Sequence, residues 1–146
     1  MLGREAIAAL IPHQGTMCLL EQVLEWDAER VLAVTATHRA SDNPLRSGGR
    51  LRALHLAEYG AQAMALHGGL LARAAGARAQ PGVLVSLRDV QLNRAYIDDL
   101  RGELHVEARR LLAGAASWQY SFSVRHAEEL LASGRAAVMA RAQAPL

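Results

Sequence analysis

Glu58 is the residue of this 146-residue chain whose setting most suggests acid–base chemistry. It stands in the stretch from Leu51 to about Ala75, where Arg52, Glu58 and Arg73 are the only Arg, Lys, Asp or Glu residues. At about 100° per residue, Gln62 lies about 40° and His55 about 60° from Glu58 on a helical wheel, so the three share one face. A carboxyl group among apolar neighbours is pushed toward its protonated form, and a neutral carboxylic acid near pH 7 suits general-acid work. The plainer alternative is a partly exposed Glu58 paired with Arg52 or Arg94.

His13, in Ile11-Pro12-His13-Gln14, is the second candidate, as a proton acceptor in a turn. A histidine there is commonly a surface residue. His67 lies about 180° from Glu58 on the wheel and is a poor partner. His38, His105 and His126 fall at strand positions and read as surface or packing residues. His55 is near enough to Glu58 to interact, though such spacing also makes a structural hydrogen bond. No histidine pair combines metal-ligand spacing with a third ligand. Gly48 and Gly49 precede the helical stretch and could present backbone N–H groups to a carbonyl oxygen at a helix N-terminus. Phosphate loops, Gly-x-Ser-x-Gly and dinucleotide fingerprints are absent from the sequence. The single cysteine, Cys18, lies in an apolar run and reads as a buried, inert thiol.

These candidates need elements to position them. Residues 3–10 suggest a short helix ending before Pro12. Residues 18–26 and 30–38 read as two strands joined at Asp27-Ala28-Glu29. A polar loop runs from Arg39 to Arg50. The stretch 51–75 reads as a buried helix, apolar on nearly all sides. Ala57, Ala61, Ala65, Gly68 and Ala72 form a stripe of small residues on it, as expected where a sheet closes on the backbone. Beyond Pro81 the period changes to two, with strands expected at 82–92, 102–112, 115–126 and 132–142. Trp118, Tyr120 and Phe122 share one face of the third of these. One domain spanning 1–146 follows, of α+β class: an antiparallel sheet of about six strands wrapped around one long central helix, the hot-dog fold. Such a sheet leaves an edge strand that a second subunit would pair.

Composition narrows the function. Aromatic residues make up 4% of the chain, too few for base-stacking surfaces, and no basic run of five occurs, which argues against nucleic acid. All sixteen basic residues of Lys+Arg type are arginine. Most of that bias fits GC-rich codons, while guanidinium forks remain suited to phosphate and carboxylate groups. No apolar stretch reaches transmembrane length and no signal-peptide pattern opens the chain, so a soluble cytoplasmic protein without membrane insertion is the expectation.

The segment Ile11-Pro12-His13-Gln14-Gly15-Thr16-Met17-Cys18-Leu19-Leu20-Glu21-Gln22-Val23 resembles the opening of the β-hydroxyacyl-acyl-carrier-protein dehydratases. Leu56-Ala57-Glu58-Tyr59-Gly60-Ala61-Gln62-Ala63 resembles their central helix. Gly82–Val90, Asp98–Val106 and Ser133–Met139 resemble their later strands, so the likeness runs in order along nearly the whole chain. It is closest to the divergent branch of aryl-polyene and xanthomonadin-type pigment pathways. The housekeeping members place a catalytic histidine in the loop before the helix, and here Pro44 occupies that position, a departure the pigment branch tends to share. The resemblance implies a dehydratase that removes water from a 3-hydroxyacyl thioester on acyl carrier protein, with no cofactor beyond the carrier's phosphopantetheine and no metal. Glu58 would protonate the departing hydroxyl or hold the water, and His13 would take the α-proton. Gln62 and His55 would orient Glu58 or substrate, and Gly48 and Gly49 would stabilise the thioester oxygen. Arg46, Arg50, Arg52 and Arg94 would dock the acidic carrier. The family site lies between two subunits, so a homodimer, or a heterodimer with a paralogous hot-dog subunit, is implied. A hot-dog thioesterase and a non-catalytic acyl-binding subunit are the alternatives.

Overall fold

The computed structural model describes residues 2–80 and 82–141. The elements in chain order are β1 (Leu2–Gly3), α1 (Arg4–Leu10), β2 (Gln22–Trp26), β3 (Arg30–Thr35), α2 (Leu56–Ala74), β4 (Gly82–Leu92), β5 (Leu104–Ala113), β6 (Ser117–His126) and β7 (Glu129–Ala140). Seven strands form one antiparallel sheet in the order β1-β2-β3-β5-β6-β7-β4. The extra strand relative to the expected six is the two-residue β1, which pairs Leu2 with Val23 and Gly3 with Gln22. Single turns of 3-10 helix occupy Gly15–Met17, Thr37–Arg39 and Ala53–His55.

Helix α2 packs across β5, β6 and β3, with lesser contact to β7, and β4 lies beyond it. The helix ends in a Schellman arrangement. Gly76, at φ +72°, follows the last turn, Gly76 N–H donates to Arg73 and Ala77 N–H to Ala72. Close approach to the sheet is made at Gly60, where a Cβ would sit 2.5 Å from Cγ of Phe122. The stripe Ala57, Ala61, Ala65, Gly68 and Ala72 does not face the sheet. Those residues are half-buried, while Leu56, Tyr59, Gly60, Ala63, Leu66 and Leu70 take the core side. Tyr120 and Phe122 are buried against the helix and Trp118 packs at the margin of the core, as their shared face requires.

The expected first strand begins four residues late. Leu19 and Leu20 are fully buried, yet Leu19 makes no ladder. Its N–H donates to Gln62 Oε1 and its carbonyl accepts the hydroxyls of Thr35 and Thr37. Side chains thus satisfy the backbone groups that a strand partner would otherwise take. Cys18 is buried as expected, and burial pushes its thiol pKa up against the opposing pull of Arg4.

Candidate active site

His13 and Glu58 meet. His13 Nε2 lies 3.3 Å from Glu58 Oε1, with 26% and 34% of the two side chains exposed. Glu58 is not in the middle of the helix, as its place in the apolar stretch suggests, but in the first turn of α2. There the helix dipole favours a negative charge, and a third of the side chain reaches solvent. Its partner is His13, and neither Arg52 nor Arg94 pairs with it among the described residues.

The turn bearing His13 has no regular structure of its own and is held by side chains on either side. From the N-terminal side, Arg4 Nη2 donates to the carbonyls of Gly15 and Cys18, at 3.2 and 2.9 Å. Gln14 Nε2 donates to Ala8 O at 2.9 Å. From the helix, Gln62 accepts from Leu19 N–H at 2.9 Å and donates to Met17 O at 2.6 Å. Its amide also lies 3.4 Å from Glu58 Oε1. Gln62 is fully buried, so its geometry is that of a residue fixing the His13 turn rather than one touching substrate. The other ring nitrogen, His13 Nδ1, is buried without a hydrogen-bond partner among the described residues.

No described hydrogen bond or ion pair joins the remaining expected residues to this pair. His55 is the residue before α2, and its side chain does not cap the helix. Gly48 and Gly49 form the tip of a tight turn closed by Ser47 and Arg50, both at positive φ, and the 3-10 turn Ala53–His55 separates them from α2. They do not belong to the helix N-terminus, and no described hydrogen bond joins them to His13 or Glu58.

Three of the four arginines are engaged. Arg46 donates to the carbonyls of Ala40, Gly49 and His38 and braces its own loop. Arg50 grips the Asp98 carboxylate at 2.9 Å, and Arg94 lies 3.8 Å from Glu129. Arg52 has no ion pair among the described residues and stands 5.7 Å from the ring of Tyr96, whose other neighbour is Arg50 at 4.1 Å.

A second polar network, unforeseen from sequence, gathers around Tyr59, the residue after Glu58. The Tyr59 hydroxyl meets Thr37 Oγ1 at 2.9 Å and Asn43 Nδ2 at 3.1 Å. Asn43 also donates to Thr37 O. Glu21 accepts from Ala36 N–H, and its carboxylate lies 3.3 Å from Thr35 Oγ1. The signal was present: Tyr59 follows Glu58, and Asn43 precedes the anomalous Pro44. No histidine occupies that loop, and the nearest, His38, is buried with Nε2 committed to Leu100 O at 2.8 Å.

A neighbouring carboxyl and imidazole at this distance form an acid–base pair. The model of the ApeP-like family, described as ApeP dehydratase, matches residues 5–145.

The chain belongs to the ApeP-like dehydratase family.

It is thus a dehydratase of the hot-dog fold, and the pigment-branch resemblance holds along its length. The dehydratase heterocomplex ApeI:P from Xenorhabdus doucetiae matches at TM-score 0.82 and 20% identity, over 92% of this chain and 90% of that one. AziG from S. sahachiroi matches at TM-score 0.60 and 21% identity, over 90% and 97%. A hypothetical thioesterase with coenzyme A from Streptococcus pneumoniae matches at TM-score 0.62 and 12% identity, over 82% and 87%. These likenesses carry the fold. Among curated proteins there is no match.

Proposed function

We propose that the chain removes water from a 3-hydroxyacyl thioester carried on the phosphopantetheine arm of acyl carrier protein, with His13 and Glu58 as its acid–base pair. The observation that carries this reading is the 3.3 Å approach of His13 Nε2 to Glu58 Oε1 in a member of a dehydratase family. Elimination needs one group to accept the α-proton and another to protonate the departing β-hydroxyl. In this reading His13 accepts and Glu58 donates. The proton left on the imidazole then passes to the carboxylate across the same contact, which restores the pair. Covering Glu58 with the acyl chain and a second subunit would exclude bulk water from the reacting groups.

The second subunit is an unlike hot-dog chain. Support comes from the heterocomplex in which the Xenorhabdus match was solved, and from the edge strand β4, whose inner side α2 leaves uncovered. Leu84 is 48% and Leu87 42% exposed there. Arg52 is the arginine best placed to meet the acidic carrier, because the other three expected docking arginines already hold partners. Cytoplasmic location fits a carrier-bound substrate, and no described helix is long and apolar enough to cross a membrane.

The test is turnover of a 3-hydroxyacyl carrier substrate by the chain, alone and with hot-dog subunits encoded beside it. Appearance of enoyl product supports the reading. Release of free thiol without enoyl product replaces it with thioester hydrolysis. No turnover in any combination leaves an acyl-binding subunit.

A further inference from the structure

The face of the sheet turned away from α2 carries a row of directly paired residues crossing five strands: Arg88 on β4, Arg135 on β7, Ser121 on β6, Arg109 on β5 and Arg30 on β3. Charge is managed differently at its two ends. At the β3 end, Arg30 binds Glu107 at 2.9 Å and Glu25 at 2.8 Å, and Arg109 reaches Glu107 at 4.0 Å. At the β4 end, Arg88 and Arg135 stand directly opposite each other, and no described acid lies within ion-pair distance of either. Like charges in that position destabilise an antiparallel pair. The shallow concavity they share is also lined by Ser86 and Gln119, and its one acid is Asp89.

The cost falls on the strand that ends the sheet. β4 runs Gly82–Leu92, so a second copy paired antiparallel along its whole length would centre on Leu87. Arg88 would then lie diagonal to its own counterpart, within reach of long side chains. Two guanidiniums from each copy would crowd one two-fold axis, against one Asp89 from each.

We propose that the Arg88–Arg135 pair sets the choice of partner. It opposes pairing of β4 with itself and selects an unlike hot-dog subunit whose edge strand brings carboxylates to this outer face. The proposal rests on the heteromeric reading above and adds the charge code behind it. Juxtaposed like charges reject wrong partners, and complementary ones fix the right one.

Sedimentation of the purified full chain at low and high ionic strength tests it. The wild type should self-associate weakly, and more strongly as salt screens the arginines. Arg88→Glu should tighten self-association at low salt by about tenfold or more and abolish the gain with salt. Arg88→Ala should shift it the same way by a smaller factor, which keeps the test valid should the glutamate variant misfold by circular dichroism. A wild-type dimer that is tight and weakened by salt overturns the proposal. Monomeric wild type and monomeric variants also overturn it, while leaving the unlike-partner reading intact. A tight wild-type homodimer that turns over substrate alone removes both.

Discussion

His13 Nε2 faces Glu58 Oε1 at 3.3 Å within one chain, although the loop that holds a histidine in the housekeeping dehydratases has none here. Both side chains are partly exposed, so their removal should leave the fold standing. His13→Ala and Glu58→Gln are each expected to lower turnover of a 3-hydroxyacyl carrier substrate by about 10²–10⁴-fold. Unfolding free energies from urea titration should stay within about 0.5 kcal/mol of wild type. Wild-type turnover in both variants would remove the pair from the chemistry.

Gln62 acts on the backbone of the turn that presents His13. Gln62→Leu strands Leu19 N–H and Met17 C=O in a buried site, and an expected loss of about 2 kcal/mol follows. Gln62→Glu keeps the acceptor for Leu19 and loses the donor to Met17. It should lower kcat with little change in KM, because a carboxyl oxygen set against Met17 O and Glu58 displaces His13 rather than substrate. Urea unfolding and steady-state kinetics on both variants separate the two effects.

Gly60 lets α2 approach β6. Gly60→Ala drives a methyl group toward the Phe122 ring and should cost about 1–3 kcal/mol in urea unfolding. Phe122→Leu in the same chain should recover part of that loss. A double-mutant cycle with no coupling would show that the two residues do not limit the approach.

His38 and His67 give the fold an acid-sensitive side. Burial holds both below the ordinary histidine value of 6.5. His67 is satisfied as a neutral ring, donating from Nε2 to Asp27 O and accepting at Nδ1 from the Tyr120 hydroxyl. The same burial raises the Tyr120 phenol to about 12. The unfolded chain takes up protons near pH 6.5 that the folded chain resists, so stability is complete above that value and falls as pH drops toward the lower folded values. Urea midpoints from about pH 7.5 to about pH 5 should decline, and His67→Gln should flatten the slope. A midpoint constant over that range would contradict the neutral, buried rings.

Periodicity made the sheet and its helix legible, and β4 spans the expected residues without change. The segment around Leu19 was not legible as a break in the strand. Its apolar pattern is that of a strand, and only the side chains of Gln62, Thr35 and Thr37, remote in sequence, take its backbone bonds. The small-residue stripe misled for a related reason. Residue size shows where a backbone can be approached, and the neighbour's bulk, here Phe122 against Gly60, decides where it is. At the site, the types and positions of Glu58 and His13 marked both residues, while their contact depends on a turn whose shape is set by Arg4, Gln14 and Gln62 together. The arginines expected to dock a carrier are legible as charges but not as free charges, because Asp98, Glu129 and three backbone carbonyls claim three of them.

The uncovered side of β4 also bears on how the protein is kept in the cell. By itself the chain displays Leu84, Val85, Leu87 and Leu92 on an unpaired edge strand, a template for aggregation and a mark for chaperones and proteases. On the proposed pairing with an unlike subunit, the abundance of the chain is expected to follow the synthesis of that partner, with the unpaired excess cleared.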